Sequence, residues 1–426
     1  MTCWSGLQAR ASKHDVIRPR NHLFDSYIGQ VISGAFNRLW LAVATANLAD
    51  GVILTGLPLM VVASGGGVTE VSVTTVAATI AWPLFGVFAG GIVDRFPAHR
   101  VALVVSIVRV VIFAALAAVG APPIALIVIV AALYGLSETL ADTALVALVP
   151  AVVERSELTR ANGRIEATLN VANQFVGPPL AGLLITLSVS ALVAPVAALY
   201  AVTVVAVILL GRRMVPRVRE KPAVRDRAAV VRGLQLIFSD RRQRELTLLT
   251  GAMNLIWGAW TAIFVIDALA PGRLGWSTFE YGLVLSGMAV GGVIASIVTP
   301  WLHARLGTTL TLILDAIGTA LLVVPAALLA PGWVVIAGLV IAGAGSSVWR
   351  ILVSSIRQQI TPEPLLGRVY SASRVISWGT LPVGAALAGA LATFSTVQAA
   401  FIGASALAIA ILVWAAVSLP RLKLAI

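Results

Sequence analysis

Apolar stretches of membrane-spanning length follow one another along almost the whole chain, separated by short polar breaks. Twelve can be marked. The first six are Leu39 to Ala63, Val71 to Val93, Val101 to Val119, Ile124 to Val149, Ile165 to Leu187 and Ala191 to Gly211. After a long basic stretch come Leu246 to Ala270, Phe279 to Leu302, Thr308 to Leu329, Trp333 to Ile356, Val369 to Phe394 and Val397 to Leu419. Stretches this long in hydrocarbon satisfy their backbone hydrogen bonds only as helices, so the pattern predicts an all-α integral membrane protein.

Composition and charge sharpen this. Hydrophobic residues make up 59% of the chain and charged residues 11%, with a mean hydropathy of +0.97. A soluble domain carries roughly a quarter charged residues, so a water-soluble fold is excluded. Lys and Arg gather at the starts of odd spans and the ends of even ones, and Arg273 alone falls in a loop on the other side. Basic loops stay cytosolic, which predicts a multi-pass protein of the bacterial cytoplasmic (inner) membrane with both termini in the cytosol. The net charge of +12 then points to anionic membrane lipids rather than nucleic acid. Cys3 is the only cysteine, and His14, His22, His99 and His303 have no metal-ligand spacing, so no disulfide, metal or cofactor is expected.

The organisation read from the pattern is a cytosolic tail (1–38), a six-helix half (39–211), a basic linker (212–245), a second six-helix half (246–420) and a short tail (421–426). The first span is expected to act as an uncleaved signal anchor. Pro216 and Pro222 mark the first part of the linker as irregular, whereas VVRGLQLIFSD spaces its apolar residues helically and is expected to lie along the membrane surface. The halves repeat one another. Asn47-Leu48-Ala49-Asp50-Gly51 in span one matches Asn254-Leu255-Ile256-Trp257-Gly258 in span seven. Leu158-Thr159-Arg160 before span five matches Leu366-Gly367-Arg368 before span eleven, at nearly the same offset. Two pseudo-symmetric halves in parallel repeat suit a transporter that holds its cargo between them.

The loop after span two reads Gly90-Gly91-Ile92-Val93-Asp94-Arg95 and ends in His99-Arg100. It resembles the signature loop of the major facilitator superfamily, Gly-x-x-x-Asp-Arg-x-Gly-Arg-Arg, at Gly90, Asp94, Arg95 and Arg100. Phe96-Pro97-Ala98 and His99 depart from it. Within that family, Asn47 to Gly51, Leu158 to Gly163, Gly177 to Gly182 and Pro362 to Val369 resemble the bacterial exporter branch that includes enterobactin exporters and macrolide and multidrug efflux proteins. The resemblance implies a gating role for the Asp94 loop and a bending role for Gly177, Pro178, Pro179 and Gly182. Gly177 to Gly182 also resembles the Gly-Pro signature of span five in drug–proton antiporters, whose fuller form has upstream glycines where this chain has Asn170 and Asn173.

Charges inside the spans are the candidate chemistry, because an ion at that depth costs several kcal/mol unless protonated, hydrated or paired. Asp50 lies about 16 Å into span one, and its repeat counterpart is Trp257. Arg109 and Glu138 sit at matched depth on spans three and four and are expected to pair. Asp50, Glu138 and Arg109 are the proton-coupling candidates. Asp142 and Arg350 occupy equivalent places on spans four and ten and are candidates for a bridge between halves; Asp315 is a weaker one. Asn47, Asn254, Trp257 and Trp260 are candidates to line a cargo cavity. Gly287-x-x-x-Gly291 is expected to let helices approach closely.

These readings converge on a monomeric secondary transporter that exports a lipophilic small molecule, drug-, macrolide- or siderophore-like, in exchange for protons. A proton-coupled importer or symporter on the same fold is the alternative. No Walker loop, zinc spacing or serine nucleophile elbow is present, which argues against ATP-driven transport and a membrane-embedded enzyme.

Overall fold

The computed structural model of the chain describes residues 34–154, 157–212, 229–362, 365–422 and residue 424. The expected N-terminal tail therefore lies outside the described residues up to residue 33, the first part of the linker over 213–228, and most of the C-terminal tail. Among the described residues the chain is helical throughout, and ten helices are long and apolar enough to cross a membrane. The helix Thr278–Ala327 is two spans merged across Gly307, whose φ of 73° turns the chain back. Span five is absent from the ten because it is broken. With these two accounted for, twelve spans stand.

Span one is Gly34–Ala63. Span two is Val68–Thr79 followed by Ala81–Arg95, and the break at Ile80 has a covalent cause. Pro83 has no N–H for the carbonyl of Thr79, so the helix cannot continue unbent. Span three is Ala98–Val119, span four Ile124–Val152 and span six Val189–Gly211. Span five runs from Leu158–Leu169 through a π-helical turn, Asn170–Val176, into Gly177–Ile185. Pro178 and Pro179 remove the donors that the carbonyls of Gln174 and Phe175 would meet in an α-helix, and the wide turn sits where they are missing. The second half comprises span seven Arg241–Ala268, spans eight and nine on either side of Gly307, span ten Gly332–Ile360, span eleven Leu366–Phe394 and span twelve Val397–Ser418. The amphipathic linker helix Ala229–Ser239 rests on the start of span eleven, where Ile237 packs with Val369 and Ala372.

The sequence repeat recurs as repeated packing. In the first half Gly51 lets span one meet span five: a Cβ there would come 2.3 Å from the Asn173 carbonyl, and one on Gly177 would come 2.7 Å from the Gly51 Cα. In the second half Gly258 lets span seven meet span eleven, where a Cβ would lie 2.0 Å from the Leu381 carbonyl. Gly291 meets the Val340 carbonyl in the same manner, so the Gly287 to Gly291 pair does bring spans eight and ten together.

The halves touch mainly away from the basic loops. Thr69 of span two and Thr393 of span eleven share a 2.7 Å hydrogen bond, and Ser72 fills the space above Gly389. Thr278 donates to the Gly182 carbonyl at 2.8 Å, joining span eight to span five. Ser286 donates at 2.6 Å to the Phe175 carbonyl, the group that Pro179 leaves without an intrahelical partner. The contact between halves is thus sealed at the end opposite the basic loops.

Candidate functional site

Arg109 is the most deeply buried ion of the first half, at 1% exposure in span three. Its Nη1 lies 3.2 Å from Asp50 Oδ1 and its Nε donates to Ser137 Oγ at 3.0 Å. Tyr200 of span six donates to the same Asp50 oxygen at 2.7 Å, and the rings of Tyr200 and Tyr134 lie 4.9 and 5.6 Å from the guanidinium. Spans one, three, four and six thus converge on one ion pair. Ser137, Tyr200 and the two ring faces meet part of the polar demand of this pair in low dielectric, while Arg109 Nη2 has no hydrogen-bond partner among the described residues.

This corrects one expectation. Arg109 pairs with Asp50, not with Glu138. Glu138 instead accepts a hydrogen bond from the indole N–H of Trp82 on span two. Matched depth alone had put Glu138 beside Arg109, and depth says nothing about which way a side chain faces around its helix.

Trp82 also reaches the other half. Its ring meets that of Trp378 on span eleven edge to face at 5.0 Å, and Arg374 stacks over Trp378 at 5.1 Å. Arg374 then lies 4.0 Å from Asp142. The cation opposite Asp142 is therefore Arg374, one span away from the expected Arg350. Span eleven packs on span two, which lies beside span four, so it is span eleven that reaches Asp142 in this state.

A cavity of about 610 Å³ opens in the second half, from Trp257 at mid-depth to Arg357 and Tyr370 near the basic end. Trp257, Trp349 and Trp378 give it aromatic walls, and Asn254 at its edge donates to the Ser377 carbonyl at 2.8 Å. Of the four expected cavity residues, Asn254 and Trp257 line it. Trp260 is 5% exposed and stacks on Phe264 at 4.9 Å, inside the packed core. Asn47 donates to the Val43 carbonyl of its own helix. Asp315 and Arg350 both line the cavity.

The sequence profile of the Major Facilitator Superfamily matches residues 39–379, which is most of the chain. The chain belongs to the major facilitator superfamily. It is therefore a multi-pass membrane transporter, as the resemblance implied. It is 26% identical over 401 residues to the multidrug efflux pump Tap of Mycolicibacterium fortuitum, covering 90% of this chain and 95% of that protein. The fold is similar to that of the nucleoside transporter NupG, with a TM-score of 0.67 at 13% identity over 92% of this chain and 98% of that one. It is also similar to a bacterial homologue of the iron transporter ferroportin in an inward-facing state, with a TM-score of 0.68 at 17% identity over 92% and 99%.

In this major facilitator chain the signature loop closes span two. Gly90 lies within the helix, Arg95 is its last residue, and Arg100 is exposed in the first turn of span three. The side chain of Asp94 lies outside the described residues. The sequence reading missed Trp82, Tyr134, Tyr200, Arg374 and Trp378. Their common signal was legible: polar-tipped or charged side chains set well inside apolar spans, the criterion that picked out Asp50 and Trp257.

Proposed function

We propose that this transporter exports a lipophilic small molecule from the cytosol in exchange for protons. Its basic end faces the cytosol in the cytoplasmic membrane. The observation that carries this reading is the buried constellation around Arg109. One cation serves two carboxyl groups there, Asp50 in direct contact and Glu138 nearby on a neutral indole donor. With both carboxyls ionised the constellation carries one excess negative charge in low dielectric, and a single proton neutralises it. Asp50 and Glu138 are the two carriers of that proton.

The cavity supplies the cargo side. Its aromatic walls suit a lipophilic molecule, and it reaches the basic end while the opposite end is sealed. The efflux pump Tap supports the outward direction. Trp82 and Trp378 link the carboxyls of one half to the cavity wall of the other, so cargo against Trp378 has a physical route to Glu138. The loop at Asp94 acts as a gate between halves, as its motif implies. The Asp142–Arg374 contact bridges the halves and breaks when cargo or proton disturbs it; with both side chains largely exposed, it adds little to their cohesion.

The test is accumulation of a panel of lipophilic drugs and dyes in cells with and without the gene, repeated after collapse of the proton gradient. At least one compound accumulates less when the gene is present, and collapse of the gradient abolishes the difference. Greater accumulation with the gene would mark an importer instead.

A further inference from the structure

Two charges in the second-half cavity have no counter-ion, and their signs are opposite. Asp315 of span nine is 3% exposed and forms part of the cavity wall, and its Oδ1 has no hydrogen-bond partner. Arg350 of span ten lines the same cavity and is exposed, with no ion pair or hydrogen bond among the described residues. The other two arginines of the wall are engaged. Arg357 donates to Ser373 and Thr247, each at 2.9 Å, and Arg374 faces Asp142.

Asp315 and Arg350 are held apart by the backbone. Asp315 sits against Gly345, where a Cβ would come 2.8 Å from its Oδ1, so the carboxylate is fixed at that level of span ten. Arg350 follows five residues later, about 7–8 Å nearer the basic end at the helical rise. Asp315 is a lone acid in low dielectric, which is costly, whereas Arg350 keeps its charge in the open part of the cavity. A carboxylate deep in a cavity and a guanidinium nearer its mouth, with indoles in the same wall, match a molecule bearing the complementary charges. The Trp349 ring is fixed in the wall by its Nε1 hydrogen bond to Thr250 Oγ1 at 2.9 Å.

We propose that this cavity takes an amphoteric lipophilic cargo, with a cationic nitrogen at Asp315, a carboxylate or other anionic group at Arg350, and its rings against Trp257 and Trp349. The inference rests on the transporter reading and names the chemical class of its cargo. A molecule neutral overall but internally charged needs a partner for each charge once it leaves water, and this wall offers both.

The test uses matched dyes on the purified full-length protein in lipid nanodiscs, read by fluorescence polarisation. Rhodamine B carries a cationic xanthene and a carboxylate, its ethyl ester keeps only the cation, and fluorescein is anionic. Rhodamine B should bind about tenfold or more tightly than the ester, the factor expected of one charge-assisted hydrogen bond. Asp315→Asn should weaken both rhodamines by about tenfold or more through lost charge attraction, since their diethylated nitrogens carry no N–H. Arg350→Gln should bring rhodamine B down to the level of its ester. Asp315→Glu, which keeps the charge, should retain measurable binding and show that the site still folds.

Equal binding of acid and ester, a preference for fluorescein, unchanged binding in Asp315→Asn, or no rhodamine binding up to the solubility limit would each overturn the proposal. If the charge pattern holds but cells do not extrude rhodamine B, the cavity assignment stands and the export reading falls. If cells extrude both rhodamines alike and binding shows no charge preference, the reverse follows.

Discussion

Removing Arg109 alone should destabilise this protein more than removing Arg109 and Asp50 together. Arg109→Gln leaves the Asp50 carboxylate 8% exposed, with Tyr200 as its one remaining donor. Breaking a buried pair from one side costs about 3–5 kcal/mol, because the surviving charge is left in low dielectric. Asp50→Asn alone strands a guanidinium that is 1% exposed, at a similar cost. The double variant, Asp50→Asn with Arg109→Gln, removes both charges and keeps amide groups that can bond to Tyr200 and Ser137. It should be less destabilised than Arg109→Gln alone by about 2 kcal/mol, so its cost falls short of the sum of the two single costs by about 5–7 kcal/mol, the cost of one stranded charge plus that difference. Equilibrium unfolding in mixed micelles of rising SDS fraction, followed by tryptophan fluorescence, measures all four proteins on one scale. If the two single costs simply add in the double variant, Asp50 and Arg109 are not an ion pair, and the proton-binding constellation loses its centre.

The orientation is checked in a Cys3→Ser background: a membrane-impermeant thiol reagent outside the cell should label Ala121→Cys and spare Ser239→Cys, and external labelling of the latter would invert the assignment. Asp94→Asn should abolish transport while expression and cargo binding persist; normal transport would remove the gating role of its loop. Ser286→Ala leaves the Phe175 carbonyl without its donor across the halves, so the sealed end should open more readily. Spin labels on Thr69→Cys and Thr393→Cys should then show a larger separated population than in the otherwise wild-type pair, by about fivefold for one lost hydrogen bond of roughly 1 kcal/mol. An unchanged distribution would show that this bond does not hold the halves.

Much of this architecture was legible in the chain because hydrocarbon leaves few choices. Span lengths, the basic end and the repeat at Asn47 and Asn254 follow from apolar length, charge and local identity, and Gly51 and Gly258 prove to be paired packing points. What depth could not give was azimuth. Glu138 and Asp50 are both candidates for Arg109 by depth, and only the rotation of span one towards spans three and six selects Asp50. The same gap separated Arg350 from Arg374 as the partner of Asp142. The π-helical turn of span five was readable in principle, since Pro178 and Pro179 declare two missing donors. Which residue would meet the freed carbonyl depended on a helix more than a hundred positions away.

Proton-driven accumulation in proteoliposomes tests the central claim most directly, using a compound extruded in the cellular panel. Under an imposed pH gradient the wild-type protein should concentrate that compound beyond equilibrium. The Asp50→Asn and Glu138→Gln double variant should only equilibrate it. If the double variant concentrates the compound as the wild type does, the proton is carried elsewhere and the account built on Arg109 and its two carboxyls is wrong.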